Sequence, residues 1–127
     1  MKIAHAALYV LDLERERLFF EQHFGAKSNQ LYHNPRTGFS SYFMTFDGEA
    51  SLELMTRPET AAEAGSPYRV GFAHISLYLG SREAVDALTE ALRRAGITVA
   101  GEPRTTGDGY YESVILDPEG NAIELTE

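Results

Sequence analysis

Two histidines and two glutamates occupy repeated positions in this chain of 127 residues, and these residue types could hold a metal ion. His5 is the third residue of Ile-Ala-His-Ala-Ala-Leu-Tyr-Val, and His74 is the third residue of Phe-Ala-His-Ile-Ser-Leu-Tyr-Leu. A strand-like segment with a central glutamate follows each copy, with Glu53 48 residues after His5 and Glu124 50 residues after His74. A duplication that supplies one nitrogen and one oxygen ligand per copy predicts a pseudo-symmetric metal site.

The chain has no cysteine, so any bound metal must be held by nitrogen and oxygen atoms. Two histidines and two carboxylates suit a divalent ion such as Ni²⁺, Zn²⁺, Co²⁺, Mn²⁺ or Fe²⁺. A six-coordinate ion held by these four ligands keeps positions for water or a substrate.

The overall composition narrows the class of protein. The net charge of −8 argues against a nucleic-acid-binding surface, which needs a basic patch. No run approaches the ~18 apolar residues of a membrane span, and no signal peptide is apparent. We therefore expect a cytoplasmic protein that binds neither nucleic acid nor membrane.

The strands that carry the four candidate ligands are expected to have one polar and one apolar face. Alternation puts His74 on a face with Ser76 and Tyr78, while the intervening residues are apolar. The segments around His5, Glu53 and Glu124 alternate in the same way. A sheet with such strands has one face for packing and one that can line a cavity.

Two helices are predicted from their end signals. The first begins after the N-cap Asp12, runs to His23 or Phe24 and stops at Gly25. Its buried stripe is expected to be Leu18, Phe19 and Phe20. The second begins after Ser81 and stops at Gly96, and its expected apolar stripe is Val85, Leu88, Leu92 and Ala95.

Further strands are predicted near residues 28–33, 39–46, 97–101 and 110–116, so each half has the order βαβββ. The predicted fold class is α+β, with two tandem βαβββ modules that form a curved sheet or partial barrel around a metal cleft. We expect one domain over residues 1–127, with module 1 at about 1–57, a linker at 58–69 and module 2 at about 70–127.

Three segments resemble the vicinal-oxygen-chelate superfamily, also called the glyoxalase, bleomycin-resistance and extradiol-dioxygenase superfamily. They are Ala-His-Ala-Ala-Leu-Tyr-Val-Leu-Asp-Leu (4–13), Gly-Phe-Ala-His-Ile-Ser-Leu-Tyr-Leu (71–79) and Leu-Asp-Pro-Glu-Gly-Asn-Ala-Ile-Glu-Leu (116–125). The resemblance covers essentially the whole chain, and it implies two βαβββ modules around one metal ion.

The presence of all four ligands, His5, Glu53, His74 and Glu124, resembles glyoxalase I in particular. That resemblance implies isomerisation of the hemithioacetal of a 2-oxoaldehyde and a thiol, with proton transfer through an enediolate. Glu124 is the first candidate for the general base and Glu53 the second. It also implies a homodimer, with each site built within one chain or across two.

Two positions depart from the small bacterial glyoxalases. Tyr9 stands where they have an arginine that meets the glutathione carboxylate, and Arg57 stands where they have an asparagine. The substrate thus stays open between a glutathione adduct, another thiol adduct and a different small molecule. The alternative activities are those of an epimerase, an Fe²⁺ dioxygenase and a non-catalytic protein that sequesters a drug or toxin.

Overall fold

The computed structural model describes residues 4–60, 74–107 and 109–127. The chain divides into two compact units, residues 1–64 and 65–127. The described part of the first unit contains β1 His5–Tyr9, α1 Leu13–Phe24, β2 Lys27–Ser28, β3 Tyr32–His33, β4 Ser40–Thr45 and β5 Ser51–Thr56. That of the second contains β6 His74–Tyr78, α2 Arg82–Arg94, β7 Val99–Thr105, β8 Tyr111–Leu116 and β9 Ala122–Thr126.

The two units have corresponding sheets. The strand order is β1-β5-β4-β2 in the first, where β3 also pairs with β4, and β6-β9-β8-β7 in the second. In each sheet the first strand of the unit runs parallel to the last, and the other pairs are antiparallel. The predicted α+β class and the duplicated order of elements are confirmed. The predicted module boundaries and metal cleft stay predictions, and residues 61–69 of the predicted linker lie outside the described residues.

The predicted ends of both helices are confirmed. Asp12 caps α1 because its side chain accepts a hydrogen bond from the Arg15 backbone N–H at 3.0 Å, and Gly25 ends the helix at φ 64°. Ser81 caps α2 through a 3.2 Å hydrogen bond from the Ala84 N–H, and Gly96 follows the helix at φ 84°. Among the described residues, no helix is long and apolar enough to cross a membrane.

The buried stripe of α1 differs from the prediction at Leu18. Phe19 and Phe20 are buried, but Leu18 is exposed and Glu16 is buried instead. Successive residues are 100° apart around a helix, so three in a row cannot all face one sheet. The buried side chains of Met44, Leu52 and Leu54 complete this core.

The core of the second unit also contains a residue that the apolar pattern missed. Val85 and Leu92 are buried as predicted, together with Ile115, Ile123 and Leu125 of the sheet. Thr89 is buried among them, whereas Ala95 is exposed at the helix end. The helix places residue 89 one turn after Val85, on the same face.

Two predicted strands differ in extent. The segment predicted as one strand at 28–33 forms the two short strands β2 and β3, which both pair with β4. β7 runs to Thr105 rather than stopping at 101, with register shifts on either side of Gly101. Because β7 is an edge strand, it accommodates Pro103, which lacks an N–H for the ladder.

A buried pair of hydroxyls joins α2 to its sheet. Thr89 Oγ1 lies 2.6 Å from Ser113 Oγ and also donates to the Val85 carbonyl at 2.6 Å. Both residues are almost completely buried, so the Ser113 hydroxyl depends on Thr89 for a partner, whereas Thr89 also has the Val85 carbonyl.

We expect Thr89→Val to lower the free energy of unfolding by about 1–3 kcal/mol, because it leaves the Ser113 hydroxyl buried without this partner. Equilibrium denaturation by urea measures the effect. The double variant Thr89→Val, Ser113→Ala should recover part of the loss in a double-mutant cycle. Strictly additive losses would show that the two hydroxyls do not interact.

A polar network joins α1 to β4. The Tyr42 hydroxyl donates to Glu14 Oε1 at 2.6 Å, and Arg17 Nε donates to Glu14 Oε2 at 2.9 Å. The hydrogen bond from Tyr42 is the largest cause that lowers the pKa of Glu14, followed by that from Arg17. The same bond raises the pKa of the Tyr42 hydroxyl.

We expect Tyr42→Phe to lower the free energy of unfolding by about 1 kcal/mol at pH 7. Because the folded pKa of Glu14 lies below its ordinary value of 4.5, the stabilisation is complete above pH 4.5 and is lost as the pH falls through the folded pKa. The difference between variant and parent should therefore shrink in acid. Denaturation curves at several pH values check this, and a difference that grows in acid would contradict it.

Candidate functional site

β1 and β5 bring the first predicted histidine and glutamate together. In the parallel register His5 lies opposite Ser51 and Ala7 lies opposite Glu53, so His5 and Glu53 are diagonal neighbours on one face. His5 Nε2 is 4.0 Å from Glu53 Oε2. The His5 imidazole also meets the edge of the Phe43 ring, with centroids 5.3 Å apart.

β6 and β9 place the second pair in the same way. His74 lies opposite Ala122 and Ser76 lies opposite Glu124, which is again a diagonal of two residues. His74 Nε2 is 3.1 Å from Glu124 Oε2. The His–Glu separation along the sequence is two residues longer in the second unit, but the register of the strand pair is the same. The strand pairing therefore gives the two pairs the same relative placement.

The faces of β5 and β9 are as the alternation predicted, whereas Ala6 on the predicted apolar face of β1 is exposed. Leu52 and Leu54 beside Glu53, and Ile123 and Leu125 beside Glu124, are buried on the opposite face of their sheets. The imidazoles are about half exposed and the carboxylates are mostly buried. Each pair can therefore be reached by a cation from the open face.

The donor atoms of the second pair suit a divalent ion. Two ligands about 2.0–2.2 Å from one ion, at roughly 90°, lie about 3 Å apart, and the His74–Glu124 distance is 3.1 Å. The His5–Glu53 pair, at 4.0 Å, would close by about 1 Å. Among the described residues, no group of three or more histidine, aspartate or glutamate side chains forms a metal-binding set.

A pocket of about 520 Å³ lies on the open face of the second unit, and the His74–Glu124 pair forms part of it. Its lining residues are His74, Ser76, Tyr78, Tyr110, Glu112, Glu124, Thr126 and Glu127. The alternation in the sequence put Ser76 and Tyr78 on this face but did not reveal Tyr110, Glu112 and Glu127. Glu112 reaches the pocket because β8 pairs with β9 in a register that puts Glu112 opposite Thr126.

Two of the carboxylates that line this pocket belong to ion pairs. Arg82 Nε donates to Glu127 Oε1 at 2.7 Å, and Arg104 Nη2 donates to Glu112 Oε1 at 3.3 Å. The hydrogen bond to Glu127 is the main cause that raises the pKa of Arg82. Both carboxylates that line the pocket beside Glu124 are thus already paired with a cation.

Tyr9 and Arg57, which depart from the glyoxalase pattern, interact with each other in the first unit. Arg57 Nε donates to Glu59 Oε2 at 2.8 Å. This bond is the largest cause that raises the pKa of Arg57, and a side-chain hydrogen bond with Tyr9 is the next. Tyr9 shares the open face of β1 with His5.

The chain is similar to known proteins in both sequence and fold. Residues 2–125 match the sequence profile of the Glyoxalase/Bleomycin resistance protein/Dioxygenase superfamily. The chain is 27% identical over 129 residues to the lactoylglutathione lyase of Haemophilus influenzae, covering 100% of this chain and 93% of that protein. It is also 27% identical over 127 residues to a putative lactoylglutathione lyase of Brassica oleracea var. gemmifera, covering 99% of this chain. It spans only 44% of that plant relative's length.

Among solved structures, the lactoylglutathione lyase of Agrobacterium tumefaciens superposes with a TM-score of 0.73 at 27% identity, covering 99% of this chain and 92% of that one. The match of fold and sequence extends over both units. The chain therefore belongs to the Glyoxalase/Bleomycin resistance protein/Dioxygenase superfamily.

Proposed function

We propose that this protein is a metal-dependent, glyoxalase I-like lyase that isomerises the hemithioacetal of a 2-oxoaldehyde and a thiol. The observation that carries the proposal is the pair of diagonal His–Glu arrangements with identical register in the two units. The relatives named lactoylglutathione lyase support the reaction class.

His5, Glu53, His74 and Glu124 would hold the ion, which is Ni²⁺, Zn²⁺, Co²⁺, Mn²⁺ or Fe²⁺. When bound, the ion supplies Lewis-acid stabilisation of negative charge that develops on the substrate oxygens. The chain's own contribution would be one His–Glu pair on each sheet, held in register by strand pairing.

Glu124 is the proposed general base and Glu53 the second candidate. A carboxylate oxygen of Glu124 would take the proton from the carbon that bears sulfur and return it to the adjacent carbonyl carbon, while the hydroxyl proton passes to the neighbouring oxygen. The product is the thioester of a 2-hydroxy acid. Glu124 is favoured because it lines the pocket of the second unit, where a substrate can reach it.

The Tyr9–Arg57 pair is the proposed contact for the thiol part of the substrate. The Arg57 guanidinium is already bound by the Glu59 carboxylate, so a substrate carboxylate could take the place of that exposed side chain. A thiol that carries a carboxylate, such as glutathione, fits this group. We further propose that the protein acts as a homodimer, as the family resemblance implies.

The direct test combines metal analysis with a hemithioacetal isomerase assay. We expect the purified chain to bind one divalent ion per site and to convert the methylglyoxal adduct of glutathione. Removal of the ion by a chelator should abolish turnover, and Ni²⁺ or Zn²⁺ should restore it. Metal retention without turnover of any thiol adduct would contradict the glyoxalase assignment and favour another activity of the superfamily.

We expect Glu124→Gln to lower kcat by about 10²–10⁴-fold, because the amide cannot accept the substrate proton. Metal content measured on the same sample should remain substantial, since the amide oxygen can still bind the ion. Glu102→Gln, which makes the same change on β7 outside the pocket, is the matched control and should keep parental activity. Parental kcat in Glu124→Gln would refute this choice of base.

A further inference from the structure

We propose that Ser76 is a further catalytic residue, which carries the hydroxyl proton between the two oxygens of the substrate while Glu124 carries the carbon-bound proton. This inference rests on the proposed function, because that isomerisation needs both proton transfers. While the carboxyl group of Glu124 holds one proton, a separate group has to move the other. A serine hydroxyl is suited to this step, since it can accept one hydrogen bond while it donates another.

Ser76 is the cross-strand neighbour of Glu124. In the parallel pair of β6 and β9 the two residues lie directly opposite each other. Neighbouring strands are about 4.8 Å apart, and the side chains of such a pair leave the sheet on the same side. Both residues line the pocket of about 520 Å³, and Ser76 is exposed on its open face. A substrate whose reacting carbon lies at the Glu124 carboxylate therefore has this hydroxyl beside it.

The other hydroxyl groups that line the pocket are less well placed. Thr126 Oγ1 already donates to two backbone carbonyls, each at 3.3 Å. Tyr78 lies opposite Thr126, two residues beyond Glu124, which is a distance of about 7 Å along the strand. Tyr110 lies outside the paired strands, just before β8. Among the described residues of the pocket, Ser76 is thus the hydroxyl that strand register brings closest to the proposed base.

The first unit has a methyl group at the corresponding position. In the pair of β1 and β5, which has the same register, Ala7 lies opposite Glu53. An alanine side chain can neither donate nor accept a proton. The two glutamates thus occupy equivalent positions, but Glu124 has the neighbour that the second proton transfer needs. This difference supports Glu124 over Glu53 as the base.

The relay leaves every atom and charge accounted for. Glu124 takes the proton from the carbon that bears sulfur, and the electrons of that bond form a double bond to the carbonyl carbon, whose oxygen becomes negative. Ser76 gives its hydroxyl proton to this oxygen and takes the proton of the neighbouring hydroxyl group. Glu124 then returns its proton to the former carbonyl carbon as the thioester carbonyl forms. Both residues end in their starting states, and no co-reactant is consumed.

Substitution of Ser76 tests the relay by turnover. We expect Ser76→Ala to lower kcat for the methylglyoxal adduct of glutathione about 10²-fold, and Ser76→Thr, which keeps the hydroxyl, to lower it less than about fivefold. Ser40→Ala, at a serine on β4 outside the pocket, is the matched control and should keep parental kcat. Metal content should be the same in all these variants, because Ser76 is not a proposed ligand.

Isotope effects distinguish a relay from a structural role. Without the Ser76 hydroxyl, the transfer between the two oxygens falls to water and becomes the slow step. In Ser76→Ala the effect of deuterium on the reacting carbon should therefore shrink, and the effect of D₂O as solvent should grow. A structural defect would lower kcat and leave both isotope effects at their parental values, and that result would overturn the relay.

A transplanted hydroxyl tests which glutamate the relay serves. Ala7→Ser, made in the Ser76→Ala background, places a hydroxyl beside Glu53 instead of Glu124. We expect no recovery of kcat. Recovery to the parental value would locate the proton transfers at Glu53 and overturn the assignment of Ser76.

A binding experiment provides a measurement that does not depend on turnover. Acetohydroxamate is planar and has two adjacent oxygens, as the reacting part of the substrate does. Ser76→Ala should weaken its binding to the Zn²⁺-loaded chain about tenfold by calorimetry, through loss of one hydrogen bond, and Ser40→Ala should not. An inactive parent chain would overturn the proposed function and the relay that rests on it. An active parent with unchanged kcat or unchanged hydroxamate affinity in Ser76→Ala would overturn the relay alone.

Discussion

The parallel pairing of the first and last strand of each unit is the constraint on which the candidate site depends. It is formed between β1 and β5 and between β6 and β9, each across just over forty residues of intervening chain. A slip of one residue would turn a glutamate from the open face to the helix side of its sheet. The apolar residues that flank Glu53 and Glu124 oppose such a slip, because they would be exposed by it.

The two helices determine which face of each sheet stays open. α1 and α2 cover the apolar faces, and polar contacts such as Tyr42–Glu14 and Thr89–Ser113 join each helix to its sheet. Once one face is covered in this way, the histidines and glutamates remain on the face open to a ligand. The alternation of side chains along each strand therefore determines both which residues pack against the helix and which functional groups face a ligand.

The His5–Glu53 and His74–Glu124 pairs have the same backbone register but different neighbouring side chains. Phe43 lies opposite Glu53 and contacts the His5 ring, whereas the smaller Val114 lies opposite Glu124. The His–Glu distances also differ, 4.0 Å in the first unit and 3.1 Å in the second. The duplication therefore places an equivalent His–Glu pair in each unit, whereas the tyrosine-lined pocket belongs to the second unit and the Tyr9–Arg57 pair to the first.

The sequence by itself determined the α+β class, the helix caps at Asp12 and Ser81 and the shared faces of the His–Glu pairs, because each follows from local periodicity or a local hydrogen bond. It misassigned Leu18, since three adjacent helical residues cannot face one sheet, and it missed Thr89, whose burial depends on Ser113 across the core. Only the tertiary structure brought Tyr110 and Glu112 beside Glu124 and joined Arg57 to Tyr9. Such contacts depend on strand register and side-chain packing between distant segments, which no local pattern encodes.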